Sequence, residues 1–150
     1  MTMPSSQPSV SGSSPQSGQP DGPDGSIVRP MRVEEVLWIE PPQHHGAYSK
    51  LLVNPDTSAS RHFDFRLSLY RPKGYAEDHV HEHSEHVYYV LQGRGLMRLG
   101  DAQHVVEPHT VVFIPPGVVH SLTNTGLEDL IFIVVTAPPG ELPRSDSGGA

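Results

Sequence analysis

The chain has no cysteine among its 150 residues. That excludes a disulfide framework and a thiolate-held metal alike, so any bound ion must sit on nitrogen and oxygen. No apolar run approaches the roughly 20 residues that cross a bilayer, and no membrane partner is expected. The opening Met1-Thr2-Met3-Pro4-Ser5-Ser6 lacks the basic and apolar regions of a secretory leader, so the expected location is cytoplasmic. Positive charge is scarce too: 10 Lys and Arg against 17 Asp and Glu give a formal net charge of -7 with neutral histidines. The basic residues are scattered, and such a surface repels phosphate backbones, which argues against nucleic acid as a partner.

Turn-forming residues are abundant, with 14 Gly and 16 Pro, and they divide the chain. Residues 1–26 are almost all Ser, Pro, Gly, Gln and Asp. They cannot offset an ordering cost of about 1–2 kcal/mol per residue and read as a disordered tail, as do residues 143–150. Residues 27–142 read as one domain of short strands separated by turns. Ile27 to Ile39 reads as extended up to Pro41-Pro42 in preference to a weak helical turn around Met31 to Leu37, and Tyr48 to Val53 as a strand ended by Asn54-Pro55-Asp56. Across Arg61 to Tyr70, Phe63, Phe65, Leu67 and Leu69 fall on one face, and His62, Asp64, Arg66, Ser68 and Tyr70 on the other. Gly95 to Leu99 and His104 to Glu107 flank the hairpin signal Gly100-Asp101. Thr110 to Ile114 is a continuous apolar run, and His120 to Asn124 and Leu130 to Thr136 form a last pair. With almost no helical periodicity, the fold class is all-β, a sandwich or barrel.

Four of the ten histidines fall in His79-Val80-His81-Glu82-His83-Ser84-Glu85-His86, which runs into Tyr88-Tyr89-Val90-Leu91-Gln92-Gly93. In a strand His79 and His81 share a face about 7 Å apart, close enough for both imidazoles to reach one ion. His86 re-enters on the next strand, and Tyr88 and Val90 share its face. Imidazole suits Fe, Mn, Co, Ni, Cu and Zn, whereas Ca and Mg are disfavoured. A second stretch, Pro115-Pro116-Gly117-Val118-Val119-His120-Ser121-Leu122-Thr123-Asn124, supplies one more histidine.

Together the two stretches resemble the paired motifs of the cupin superfamily, G-x5-H-x-H-x3,4-E-x6-G and G-x5-P-x-G-x2-H-x3-N. His79, His81 and Gly93 match the first; Pro115, Gly117, His120 and Asn124 match the second. Gly74 stands one residue out of place. His109 occupies the leading glycine position of the second motif, so that turn is expected to be made differently around Pro108. His86 replaces the glutamate. The resemblance implies an antiparallel double-sheet jelly-roll barrel holding one divalent transition metal on His79, His81, His86 and His120. Glu85 is the alternative to His86, and Fe or Mn is favoured over Zn, Ni, Cu or Co.

Such a barrel would admit a small-molecule substrate. The pocket candidates are Arg66, Tyr88, Val90 and Phe113 or Val112, with Arg66 suited to a substrate carboxylate and His62 and Tyr70 on its face. The leading functional reading is a dioxygenase or related oxidoreductase. Alternatives are a non-redox isomerase, decarboxylase or lyase, and a non-catalytic ligand-binding module. Cupins often pair through N-terminal strands and sheet faces, which makes a homodimer through Ile27 to Ile39 or Tyr48 to Val53 one option. His44-His45-Gly46 reads as a surface loop, with a lid over the barrel mouth as the alternative; His83 reads as exposed or as a support to the ligands rather than a fifth ligand, and His104 and His109 as exposed.

Overall fold

The structure, a computed structural model, describes Gly22, Ser26 and residues 29–145. The disordered-tail reading of residues 1–26 and of 146–150 lies outside the described residues, Gly22 and Ser26 apart. Among the described residues ten strands follow one another: β1 His44–Val53, β2 Asp64–Ala76, β3 His79–Val80, β4 Glu85–Gln92, β5 Gly95–Leu99, β6 Ala102–Val106, β7 Val111–Ile114, β8 His120–Asn124, β9 Leu130–Ala137 and β10 Arg144–Ser145. All pair antiparallel. β1-β2-β9-β4-β7 form one side and β10-β3-β8-β5-β6 the other. The long β2 joins them, running beside β9 over Asp64–Tyr70 and meeting β8 where Tyr75 pairs with Thr123. The result is a curled antiparallel jelly-roll, the all-β double-sheet fold expected.

The interior is filled by Tyr70, Tyr88, Val90, Met97, Val106, Ile114, Leu122, Leu130, Phe132 and Val134, all buried. Each large side chain so buried contributes roughly 1.5–3 kcal/mol. Gly93 ends β4 at φ +86°, and a Cβ there would lie 2.6 Å from the Asp129 carbonyl oxygen, so only glycine fits.

Several expectations are corrected. Residues 33–35 form a short 3-10 turn where extended chain was expected. Local polar contacts decide it: the Arg32 N–H donates to Glu35 Oε1 at 3.0 Å, and Arg29 holds the same carboxylate at 2.7 Å. Pro55–Ser58 adds one α-helical turn, α1, whose amides at Asp56 and Thr57 donate to Asn54 Oδ1. β1 starts at His44 rather than Tyr48, because its first residues pair with the far end of β2, His44 opposite Ala76 and His45 opposite Tyr75. The His44-His45-Gly46 segment is therefore strand, not surface loop.

β2 is turned the other way round from ordinary amphipathic logic. Asp64, Ser68 and Tyr70 are buried and Arg66 partly so, while Phe63 is 42% exposed. Beside its apolar core the interior holds the buried histidines His79, His81, His86 and His120, so the polar face of this strand points in. Phe113 follows the same logic outward: it pairs with Val87 on the outer face and is 55% exposed, leaving Val112 to face the interior. Phe113 is thus removed from the pocket. His109 adopts φ +71°, the left-handed conformation that a motif glycine would take, so the turn is made in the usual way with an unusual residue. Arg144 and Ser145, assigned by composition to the tail, pair with Val80 and His79 at the edge of the site.

Candidate metal centre

β3 and β8 bring the first two histidines together, because His79 and His120 are direct cross-strand partners with ring centroids 4.3 Å apart. Each ring is fixed the same way. His79 Nδ1–H donates to the Glu77 carbonyl at 2.7 Å and His120 Nδ1–H to the Val118 carbonyl at 2.9 Å. A carbonyl can only accept, so the proton sits on Nδ1 and Nε2 keeps its lone pair. His81 follows after one residue, and its chain is tied to the second motif by the Gly117 N–H, which donates to the His81 carbonyl at 2.7 Å.

The ligand nitrogens of His79, His81 and His120 lie within 4.8 Å of one another, and all three residues are buried. Ligands about 2.1 Å from one ion stand about 3–4 Å apart, so a set this compact needs little adjustment to share one. His86 is outside that tight trio, yet its ring lies 4.4 Å from His81 and 5.4 Å from His120. It comes from β4, opposite Thr136 of β9, whose Oγ1 is 3.0 Å from His86 Nδ1. Glu85, its neighbour in the strand, is exposed, as is His83.

The turn between His81 and His86 is held by Glu141. Its carboxylate accepts the backbone N–H groups of Glu82 (2.7 Å), His83 (3.1 Å) and Ser84 (2.6 Å). Burial opposes the charge there, but these hydrogen bonds outweigh it and hold the carboxyl down to about 2. Ser84 Oγ–H adds a bond to the Pro138 carbonyl at 2.8 Å.

Burial governs the electrostatics of the cluster. It pushes His81 and His120 down to about 4, and His86 to about 2, with the neighbouring imidazoles and Arg66 adding to the effect at His86. All are neutral at physiological pH, the state in which imidazole binds metal. His81 Nδ1, His86 Nε2 and His120 Nε2 are buried without a hydrogen-bond partner. A buried polar atom left unpaired costs about 1–3 kcal/mol, and a cation among them would remove that cost. The residues present therefore fit a divalent transition ion.

Of the pocket candidates, Tyr88 stands 6.2 Å from His86 and 6.5 Å from His120, ring to ring, and stacks on Phe132 at 5.5 Å. Val90 is buried one step further along β4. Tyr70 packs edge-on to Phe132. Burial pushes Tyr88 up to about 12 and Tyr70 well above its usual value, so both remain O–H donors. Arg66 is paired with Asp64 at 2.9 Å, whereas His62 is exposed in the bend before the strand.

Two residues, Thr136 and Glu141, escaped the sequence reading, and a third, His44, was read as surface loop. His44 stands 6.4 Å from His79 and 6.0 Å from Tyr70, ring to ring. Strict alternation back from the inward Ala47 and Ser49 would have pointed to His45; the register shift between His45 and Ala47 puts His44 on the inner side instead. Thr136 and Glu141 carry no spacing signal, because each acts on a residue about 50 or more positions away.

A family model described as "Cupin domain" matches residues 66–136. The chain is 28% identical over 116 residues to a protein of Streptomyces cyaneus named polyketide synthase CurC, covering 77% of this chain and 75% of that one. It is 35% identical over 68 residues to a glucose-6-phosphate isomerase of Thermococcus gammatolerans, covering 41% of this chain and 36% of the relative. The chain spans about half the length or less of the curated relatives it matches over that shorter segment. Among solved structures, the polyketide cyclase RemF from Streptomyces resistomycificus superposes with a TM-score of 0.71 at 23% identity, covering 82% of this chain and 88% of that one.

Proposed function

This chain belongs to the cupin superfamily, and on that premise we propose that it is a metal-dependent enzyme acting on a small chelating dicarbonyl by proton transfer, as in a cyclisation or isomerisation. The observation that carries the reading is a buried cluster of neutral imidazoles that includes no acid among the described residues. Without a ligand carboxylate, a bound divalent ion would keep its full charge and act as a Lewis acid on a chelated carbonyl. The likeness to proteins named polyketide synthase and polyketide cyclase over most of the chain supports a carbonyl-rich substrate.

The protein's own groups divide the remaining work. His79, His81, His120 and His86 would hold the ion. His44 Nδ1 donates to the Pro42 carbonyl at 2.9 Å, so its Nε2 carries a free lone pair beside the cluster. Burial lowers its proton affinity and keeps it neutral. It is positioned to take a proton from carbon next to a chelated carbonyl, a general-base role worth about 10²–10⁴ in rate. Tyr88 and Tyr70 offer O–H donors to a substrate oxygen, and Phe132 and Val134 keep the walls dry.

The test uses protein reconstituted with a single divalent metal and a panel of 1,2- and 1,3-dicarbonyls in deuterated buffer under argon. Proton–deuterium exchange above the uncatalysed rate is expected, and His44→Gln should slow it about 100-fold or more at unchanged metal content. In a parallel reaction run in air, turnover that consumes oxygen in step with substrate and is absent under argon would replace this reading with the dioxygenase. Binding without exchange or turnover would leave a ligand-binding module.

A further inference from the structure

We propose that Arg66 is the anion subsite of this pocket and selects substrates that carry a carboxylate a short distance from the chelating carbonyls. The proposal rests on the reading above, since it names the substrate class of the same cavity. Arg66 is the single Lys or Arg on the inner face of the barrel among the described residues. Lys50, the nearest alternative in β1, is committed elsewhere, with its Nζ on the Val33 carbonyl at 2.9 Å and over the Trp38 ring.

Register places Arg66 with the site. Reading across the sheet, Arg66, Val134, Tyr88 and Val112 form one inner row, and Asp64, Thr136, His86 and Ile114 form the next. Arg66 thus shares a row with the aromatic wall and stands one inner step, about 7 Å along the strand, from the row of His86. Both rows face the barrel interior.

The guanidinium is also prepared for a second partner. Its Nε and Nη2 both point to Asp64 Oδ1, at 3.3 and 2.9 Å, while Nη1 makes no hydrogen bond among the described residues. The Asp64 side chain is 6% exposed and that of Arg66 30%. One edge of the fork is clamped and the other is open, so a carboxylate can be met without freezing a mobile side chain. A scaffold role explains this poorly, since a part-buried ion pair adds little net stability and two apolar residues would fill the space as well.

The experiment uses zinc-reconstituted protein and two probes differing in one charge, 4,6-dioxoheptanoate and its methyl ester, titrated by calorimetry. Both carry the same diketone, and one ends in a free carboxylate. The acid is expected to bind about tenfold or more tighter than the ester, as a charge-assisted Arg–carboxylate pair implies. In Arg66→Gln the two should bind alike, with ester affinity and zinc content unchanged. Because that variant leaves Asp64 without its partner, the double variant Asp64→Asn/Arg66→Gln repeats the comparison in a charge-balanced pocket. Equal binding of the two probes by the wild type, or a preference that survives in the variants, overturns the proposal.

A metal-free arm separates this idea from the reading beneath it. Benzoate, but not benzamide, should shift the Arg66 Nε–H signal of chelator-stripped protein in a nitrogen-correlated spectrum. If that shift appears while neither diketone binds the zinc protein, the metal reading falls and the anion subsite stands. If acetylacetone binds the zinc protein while benzoate moves nothing and no acid preference appears, the subsite falls and the metal reading stands.

Discussion

The two arms of the histidine cluster are built by different means. His79 and His120 are direct cross-strand partners, and each ring is oriented by the carbonyl two residues before it, Glu77 and Val118. His81 and His86 flank a turn, and that side is oriented by side chains: Thr136 on His86, Glu141 on the turn itself. A carbonyl cannot be mutated away, whereas a threonine or glutamate can. The first arm is therefore a fixed frame and the second an adjustable one, although both face the same centre.

Removing ligands should give the largest effects and should rank the arms. His120→Ala is expected to lower zinc affinity by more than the roughly 10–100-fold typical of losing an outer partner. His86→Ala should cost less, because His79, His81 and His120 form the compact trio without it. Competition titrations with a chromophoric chelator would measure both. If His86→Ala proves as costly as His120→Ala, the distinction between frame and adjustable arm disappears. Next comes Thr136→Val, which keeps the volume, removes the partner of His86 Nδ1 and should weaken zinc about tenfold. No loss there would mean that β4 alone orients the ring.

Acid should act on both arms at once. In the unfolded chain these imidazoles take up protons near 6.5, but in the folded protein His81 and His120 hold out to about 4. Between those values the unfolded state binds more protons, so metal-free stability is complete above about 6.5 and is lost as the pH falls toward 4. Melting temperatures of the stripped protein from pH 7.5 to 4.5 should decline over that window. A flat profile would show that the cluster is wetter than its burial indicates.

What could be read from the chain follows the same division. His79, His81, His120, Gly93, Gly117 and Asn124 stand in local patterns, because strand period and turn geometry act over a few residues. Asn124, for instance, accepts the Gly126 N–H and donates to the Glu128 and Tyr70 carbonyls, mostly a local hairpin cap. Inward and outward faces were harder. The alternation across β2 was visible, but its direction was not, since a barrel enclosing a polar site reverses the usual preference for apolar residues inside. His44, Thr136 and Glu141 reach the site through pairing of distant segments, and the sequence carries no local mark of that.

Glu141→Gln should produce the smallest effect and the most specific one. The amide oxygen can still accept, but it has no charge with which to hold three N–H groups at once, so the turn over residues 82–84 should loosen. Global stability should fall by about 1 kcal/mol, a typical net value for weakened hydrogen bonding. Zinc affinity should drop only a few-fold, because the backbone-anchored His79 and His120 are untouched. Amide exchange should therefore quicken at Glu82, His83 and Ser84 and stay unchanged at His120 and its strand neighbours. If protection were lost equally in β8, the turn and the frame would form one cooperative unit, and the adjustable arm would have no independence to exploit.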